Sequence, residues 1–127
     1  MRAAILQLPS IGMGSNKLES YARVAQQKGV KLILLGEYLL NPFFKELIQM
    51  PLNMIAEQST HQIETLKALA EKYELTFIAP IVTVKKKECT KMIAKINGRS
   101  VTYYPQQLLI NYPHWNEEKF FNNPVEA

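Results

Sequence analysis

One carboxylate stands where an α/β protein could use it for catalysis. Glu37 follows the apolar run 31–35 (KLILL), and Gly36 lets the chain turn between them. Ligands of open α/β sheets gather at the carboxyl ends of parallel strands. Burial beside Tyr38 and Phe43 would raise the pKa of this carboxyl, which could then act as a general base near neutral pH. The alternative is an ordinary polar residue that ends a strand.

The other residue types that carry chemistry form no site by spacing alone. Cys89 is the single cysteine and lies in the segment KKKECTK. Its lysine neighbours could lower the pKa of the thiol, but no helix follows it, and we interpret it as a surface thiol in a hairpin loop. His61 and His114 have no partner at metal-ligand spacing, so no metal site is predicted.

A strand, a helix and a second strand open the chain. The runs 2–8 (RAAILQL) and 31–35 are typical of buried strands. Between them, Ser15 or Asn16 can cap a helix, and Gly29 can end it in the left-handed conformation. Such a unit implies two parallel strands joined by a right-handed crossover. The apolar stripe of this helix comprises Leu18, Tyr21, Ala22 and Ala25.

A longer helix and a third strand follow an irregular to helical segment at 36–58. Ser59 and Gln62 resemble a capping box, which predicts that the helix begins there. Residues 75–84 form a third strand, in which Pro80 indicates an edge position or a bulge. The buried face of the helix is predicted to consist of Ile63, Leu66, Leu69, Ala70 and Tyr73.

Two more strands are predicted as a hairpin. Residues 91–97 and 99–104 alternate in polarity around Asn97 and Gly98. Asn-Gly favours a two-residue turn because both central residues need positive φ. The predicted order is β-α-β-(α)-α-β-β-β, an α/β fold with a mixed β-sheet.

Composition and charge narrow the class of protein. A hydrophobic content of 47% over 127 residues fits one ordinary globular domain and excludes a disordered chain. The net charge of +4 comes mostly from one lysine cluster, interpreted as a solvated hairpin tip. The alternative, a nucleic-acid patch, lacks interleaved arginines and aromatic residues, so we expect no nucleic-acid partner. The cluster comprises Lys85, Lys86, Lys87, Lys91 and Lys95.

The expected location is the cytoplasm. A single cysteine favours a reducing compartment. No signal peptide is visible, and no apolar run is long enough to cross a bilayer, so no membrane partner is predicted.

Four segments carry a family resemblance: RAAILQLP at 2–9, KLILLGEYLLNPFF at 31–44, KINGRSVTYYPQQLL at 95–109 and WNEEKFF at 115–121. Together they resemble the first half of the nitrilase superfamily, the carbon–nitrogen hydrolases. The resemblance implies an α-β-β-α sandwich and hydrolysis of a small-molecule amide by a cysteine thiol. It implies no dissociable cofactor, and it implies a homo-oligomer, since open sheet edges invite association.

The resemblance assigns roles to particular residues. Glu37 matches the family's general base, although Gly36 replaces the usual proline before it. The family's lysine, which stabilises the oxyanion, lies in a Tyr-x-Lys-x-x-Leu pattern. Here Tyr104 begins that pattern and Gln106 occupies the lysine position, so an uncharged amide replaces the ammonium. Either the member is impaired, another residue substitutes, or the register differs.

Further roles follow from the same resemblance. Glu117 matches a second glutamate that positions nucleophile and substrate, the alternative being a solvated loop acid. Tyr38 and His114 are candidate substrate contacts. The family's cysteine lies on a strand-to-helix turn, and Cys89 does not match it.

We therefore expect residues 1–127 to be the N-terminal portion of one carbon–nitrogen hydrolase domain, ending before the nucleophile. On this interpretation the parent protein is an amidase, and the chain alone is inactive. The alternative is a non-catalytic relative that keeps the fold for binding or assembly.

Overall fold

A computed structural model describes residues 2–6, 15–36, 40–41, 47–106, 111–112, 115–116 and 121. It confirms the predicted α/β order with a mixed sheet. The elements are β1 (Arg2–Leu6), α1 (Ser15–Gln27), β2 (Val30–Leu35), α2 (Leu52–Tyr73), β3 (Thr76–Lys85), β4 (Glu88–Ile96), β5 (Val101–Pro105), β6 (Asn111–Tyr112) and β7 (Trp115–Asn116).

The main sheet contains five strands in the order β1-β2-β3-β4-β5. The first three strands run parallel, because a helix connects each to the next, whereas β4 and β5 pair antiparallel through tight turns. The short strands β6 and β7 form a separate antiparallel pair. No helix in the described part of the chain is long and apolar enough to cross a membrane.

Both helices pack on one face of the sheet, called here the helix face. Alternate residues of the central strands point into this core, and the residues between them belong to the opposite face. Glu19 of α1 accepts hydrogen bonds from Lys72 at 2.8 Å and from the Tyr73 hydroxyl at 3.2 Å, which joins the two helices. The core includes Leu18, Ala22, Ile33, Leu66, Leu69, Phe77, Ala79, Ile81, Ala94 and Ile96.

The predicted start of the second helix at Ser59 is wrong. Helix α2 begins at Leu52, directly after Pro51, whose φ of −59° suits a helix entrance. Residues 52–58 continue the helix because most of them are good helix formers. Ser59 and Gln62 therefore lie within the helix, where their side chains are buried, and they do not cap it. The predicted glycine cap of α1 is confirmed, since Gly29 has a φ of 75°.

The predicted two-residue turn at Asn97-Gly98 is also wrong. The hairpin turn with two residues of positive φ is found instead between β3 and β4, at Lys86 and Lys87. The connection from β4 to β5 is longer, and the Asn97 Oδ1 accepts hydrogen bonds from the backbone N–H groups of Arg99 and Ser100. Gly98 is required for a different reason, because it packs against the backbone of α2.

Pro80 lies where its position in the sheet costs no hydrogen bond. Strand β3 is the third of five, but β2 pairs only with its first part, so Pro80 lies beyond the end of β2. The paired residues are Leu32, Ile33 and Leu34 with Thr76, Phe77 and Ile78. The proline thus marks a stretch of β3 that has a strand on one side only, in keeping with the predicted edge character.

We expect Gly98→Ala to destabilise the fold by about 1–3 kcal/mol, as overpacking does. A Cβ at this position would lie 2.8 Å from the Glu71 Cβ and 2.9 Å from its Cα, and the helix backbone cannot move aside cheaply. Urea unfolding measures the loss. Arg99→Ala, at the exposed neighbouring position, is the control. Equal free energies of unfolding for Gly98→Ala and Arg99→Ala would contradict the close approach of Gly98 to α2.

Candidate functional site

The candidate site lies at the carboxyl ends of β2 and β3. Strand β2 ends at Leu35. Further along the chain, Leu40 and Asn41 are fully buried, and Asn41 contacts β3. Glu37 and Tyr38 belong to the connection between these points and lie outside the described residues. His114 and Glu117 also lie outside them, so their predicted roles stay predictions.

Asn41 and Ser59 supply the hydrogen bonds that a neighbouring strand would give to Val82. The Asn41 Oδ1 accepts a hydrogen bond from the Val82 N–H at 3.0 Å. The Asn41 Nδ2 donates to the Ser59 Oγ at 3.0 Å, and that hydroxyl donates to the Val82 carbonyl. Both polar backbone groups of Val82 are satisfied although β2 ends before it.

This network fixes the end of the segment in which Glu37 lies. Asn41 is four residues beyond Glu37 and is tied both to β3 and to α2. Neither Asn41 nor Ser59 is predicted as a site residue from the sequence. A signal was available, because Ser59 lies on the same helical face as Ile55 and Ile63, where a polar side chain needs a buried partner.

Gln106 lies directly after β5, beside β4. Its backbone N–H donates to the Lys91 carbonyl at 2.9 Å, which extends the β4–β5 ladder by one position. Within that ladder, Tyr104 pairs with Ile93, so the next residue on the same face places Gln106 opposite Lys91. The position that the resemblance gives to a lysine is therefore the cross-strand neighbour of a lysine.

The interpretation of Lys91 as part of a solvated hairpin tip is wrong. Its side chain is 2% exposed, whereas the other four lysines of the cluster are exposed. Lys91 pairs with Val82 on the opposite face from the helices and shares a crevice with Asn41 and Pro80. Lys95 lies on the same face of β4 and is exposed, so the burial of Lys91 comes from the residues beside it and not from the charge pattern or the alternation.

The interpretation of Cys89 as a surface thiol is wrong as well. The side chain is 3% exposed and packs in a small cluster with Leu47, Ile55, Val82 and Phe121. Burial raises the pKa of the thiol, and the neighbouring lysines do not reverse this effect. Less thiolate is present at neutral pH, so Cys89 is a poor nucleophile.

A cavity of about 230 Å³ lies on the helix face, between α2 and strands β3 and β5. Thr60, Glu64 and Tyr103 are among its lining residues. Burial, and to a lesser extent the charge of Glu64, raises the pKa of Tyr103. The sheet separates this cavity from Lys91, although Ser59 of the hydrogen-bond network also lines it. Among the described residues, no three His, Cys, Asp or Glu side chains form a group that could hold a metal ion.

Solved structures with a similar fold include a carbon–nitrogen hydrolase, an amidase and a glutamine-dependent NAD(+) synthetase. A carbon–nitrogen hydrolase from Helicobacter pylori has a TM-score of 0.69 at 21% identity, over 94% of this chain and 44% of its own. A cysteine-to-alanine mutant of an amidase from Nesterenkonia sp., in complex with butyramide, has a TM-score of 0.77 at 16% identity, over 99% of this chain and 49% of its own.

A glutamine-dependent NAD(+) synthetase from Cytophaga hutchinsonii has a TM-score of 0.68 at 18% identity, over 94% of this chain and 20% of its own. The chain thus spans half or less of the length of these structures. The likeness confirms the α/β fold expected from the nitrilase resemblance. No protein-family model matches the sequence, and no match is found among curated proteins.

We expect Asn41→Ala to lower the free energy of unfolding by about 1–3 kcal/mol, because it leaves the buried Val82 N–H without its acceptor. Urea unfolding measures this change. The matched control is Asn53→Ala, which removes an exposed amide from α2. Similar losses for the two variants would show that the Asn41 amide does not hold β3.

The pKa of Cys89 leads to a second expectation. Alkylation of the folded 127-residue chain by iodoacetamide should remain slow through neutral pH and rise only above the ordinary thiol range, because burial raises the pKa. Mass spectrometry across pH measures the rate at this single cysteine, and the urea-unfolded chain is the reference. Equal rates in the two states at neutral pH would contradict the burial.

Proposed function

We propose that the natural protein containing these residues is a carbon–nitrogen hydrolase that cleaves a small non-peptide amide with a thiol nucleophile. The observation that carries the proposal is the segment between β2 and β3. It leaves a parallel strand at its carboxyl end, includes Glu37, and is anchored four residues later by Asn41. This is where an α/β sheet presents catalytic groups.

Each group has a definite task in this reaction. The Glu37 carboxylate accepts the thiol proton, and the thiolate attacks the amide carbon. The same carboxyl returns the proton to the leaving ammonia or amine. Water then hydrolyses the thioester, releases the acid and regenerates the thiol. Glu117 positions the nucleophile and the substrate, and Tyr38 and His114 contact the acyl group.

The amide preference has support from the fold neighbours. The Nesterenkonia protein is an amidase, and its cysteine mutant is in complex with butyramide, a short primary amide. We favour a small amide of this kind over a nitrile. We also propose that the protein works in the cytoplasm as a homo-oligomer, without a dissociable cofactor and without a nucleic-acid or membrane partner.

One observation favours a second candidate. Gln106 stands at the position to which the resemblance gives a charged oxyanion donor, and an amide carries no charge. A relative that keeps the fold for binding or assembly would tolerate this replacement. Such a protein would bind an amide without releasing ammonia.

The test is ammonia release from short aliphatic amides, acetamide to butyramide, by the natural protein. We expect Glu37→Gln to lower kcat by about 10²- to 10⁴-fold, the usual contribution of a general base. Glu57→Gln, on the exposed side of α2, is the matched control and should retain full turnover.

Two outcomes would count against the proposal. Unchanged turnover in Glu37→Gln would remove this carboxyl from the mechanism. Saturable amide binding by the wild-type protein with no release of ammonia would favour the non-catalytic candidate.

A further inference from the structure

We propose that the Lys91 ammonium stabilises the oxyanion in this site and does the work that the resemblance gives to the position of Gln106. The inference rests on the proposed function, because an oxyanion forms only if the site attacks a carbonyl carbon. The positive charge that faces the oxyanion is a lysine ammonium in both cases. In this protein the lysine lies on β4, whereas the resemblance expects it directly after β5.

The burial of Lys91 is the first observation. Lysine is almost never fully buried, because its charge loses hydration. Of the buried polar side chains in the described ranges, Lys91 alone carries a charge, the others being Asn41, Ser59 and Gln62. The other lysines of this hairpin remain exposed, so burial is a property of the position and not of the segment. A buried ammonium is suited to a place where negative charge must be held.

The second observation is the register of β4 and β5. The Gln106 N–H donates to the Lys91 carbonyl at 2.9 Å, and the two residues are cross-strand neighbours on one face. The Cβ atoms of such neighbours lie roughly 5 Å apart. The stem of a lysine is longer than this separation, so the side chain of Lys91 can reach the position of its cross-strand neighbour Gln106.

The third observation is what lies beside Lys91. Lys91 lines one narrow gap together with Asn41 and Val82, and the hydrogen bond between these two residues anchors the chain at Asn41, four residues beyond Glu37. Lys91 also pairs with Val82 in the register of β3 and β4. Lys91 therefore lies toward the end of the sheet at which β2 ends with Leu35, two residues before Glu37 in the sequence, and on the face away from the helices.

The reaction step balances with these groups. A cysteine thiolate forms a C–S bond to the amide carbon, and the carbonyl π pair moves onto oxygen. The Lys91 ammonium donates a hydrogen bond to that oxyanion and offsets its charge. When the pair returns, the C–N bond breaks, and the departing ammonia takes the proton that Glu37 received from the thiol. Lys91 keeps its own proton throughout.

The experiment moves the charge between the two strands in the natural protein. Lys91→Gln should lower kcat for butyramide by about 10²- to 10³-fold with little change in KM, because the charge it offsets exists only during reaction. The double variant Lys91→Gln with Gln106→Lys should recover at least tenfold, since it returns an ammonium to the same space. Lys95→Gln, an exposed lysine on β4, is the control and should keep wild-type kcat.

A folded Lys91→Gln variant with wild-type kcat would overturn the inference, and so would a folded double variant that recovers nothing. If Lys91→Gln does not fold, the wild-type protein decides the matter by NMR. Titration with acetate, the smallest product anion, should shift the Lys91 side-chain resonances saturably and leave those of Lys95 unchanged. An unmoved Lys91 resonance would overturn the inference.

The two proposals fail in different ways. A wild-type protein that releases no ammonia contradicts the proposed hydrolase. In that protein, an acetate-dependent shift at Lys91 would still support an anion site at this position.

Discussion

The structure depends on the fact that β3 extends beyond β2. A strand interior needs a partner for every backbone N–H and carbonyl, and past Ile78 no strand of the described residues pairs with β3 on the β2 side. Pro80 removes one donor from that side, and the side chains of Asn41 and Ser59 satisfy both polar groups of Val82. This arrangement draws the segment after β2 and the first half of α2 onto the same strand. The candidate site exists because a sheet edge is completed by side chains in place of a strand.

The features predicted from the sequence are those set by local periodicity. The strand–helix–strand opening, the apolar stripe of α2 and the Gly29 cap each follow from residues close together in the chain. The predictions that failed depend on distant contacts. Ser59 resembles a helix cap, but its hydroxyl donates a hydrogen bond to the Val82 carbonyl. Gly98 resembles a turn residue, but a glycine is needed there because Glu71 lies too close for a side chain. Neither partner can be identified from local pattern.

Charge was the least reliable guide to the site. Five lysines close together indicate a solvated surface, yet period two places Lys91 on the same face as Cys89 and Ile93, which lie on either side of it along β4. Lys95 lies four residues further along the same face of β4 and is exposed, so the alternation alone does not separate the two lysines. Lys91 differs because Asn41 and Pro80 lie beside it, and such distant neighbours cannot be identified from the charge pattern.

The wide separation along the chain of Asn41 and Val82 has a consequence for how the molecule folds. Strands β3 and β4 are joined by a two-residue turn, so they can pair early and without closing a long loop. The Asn41 contact joins residues 41 positions apart and requires α2 to be in place between them. The hairpin that includes Lys91 can thus form before the segment next to Glu37 is anchored. We therefore expect the candidate site to assemble after this hairpin, and local opening around Asn41 to undo the site while the sheet stays intact.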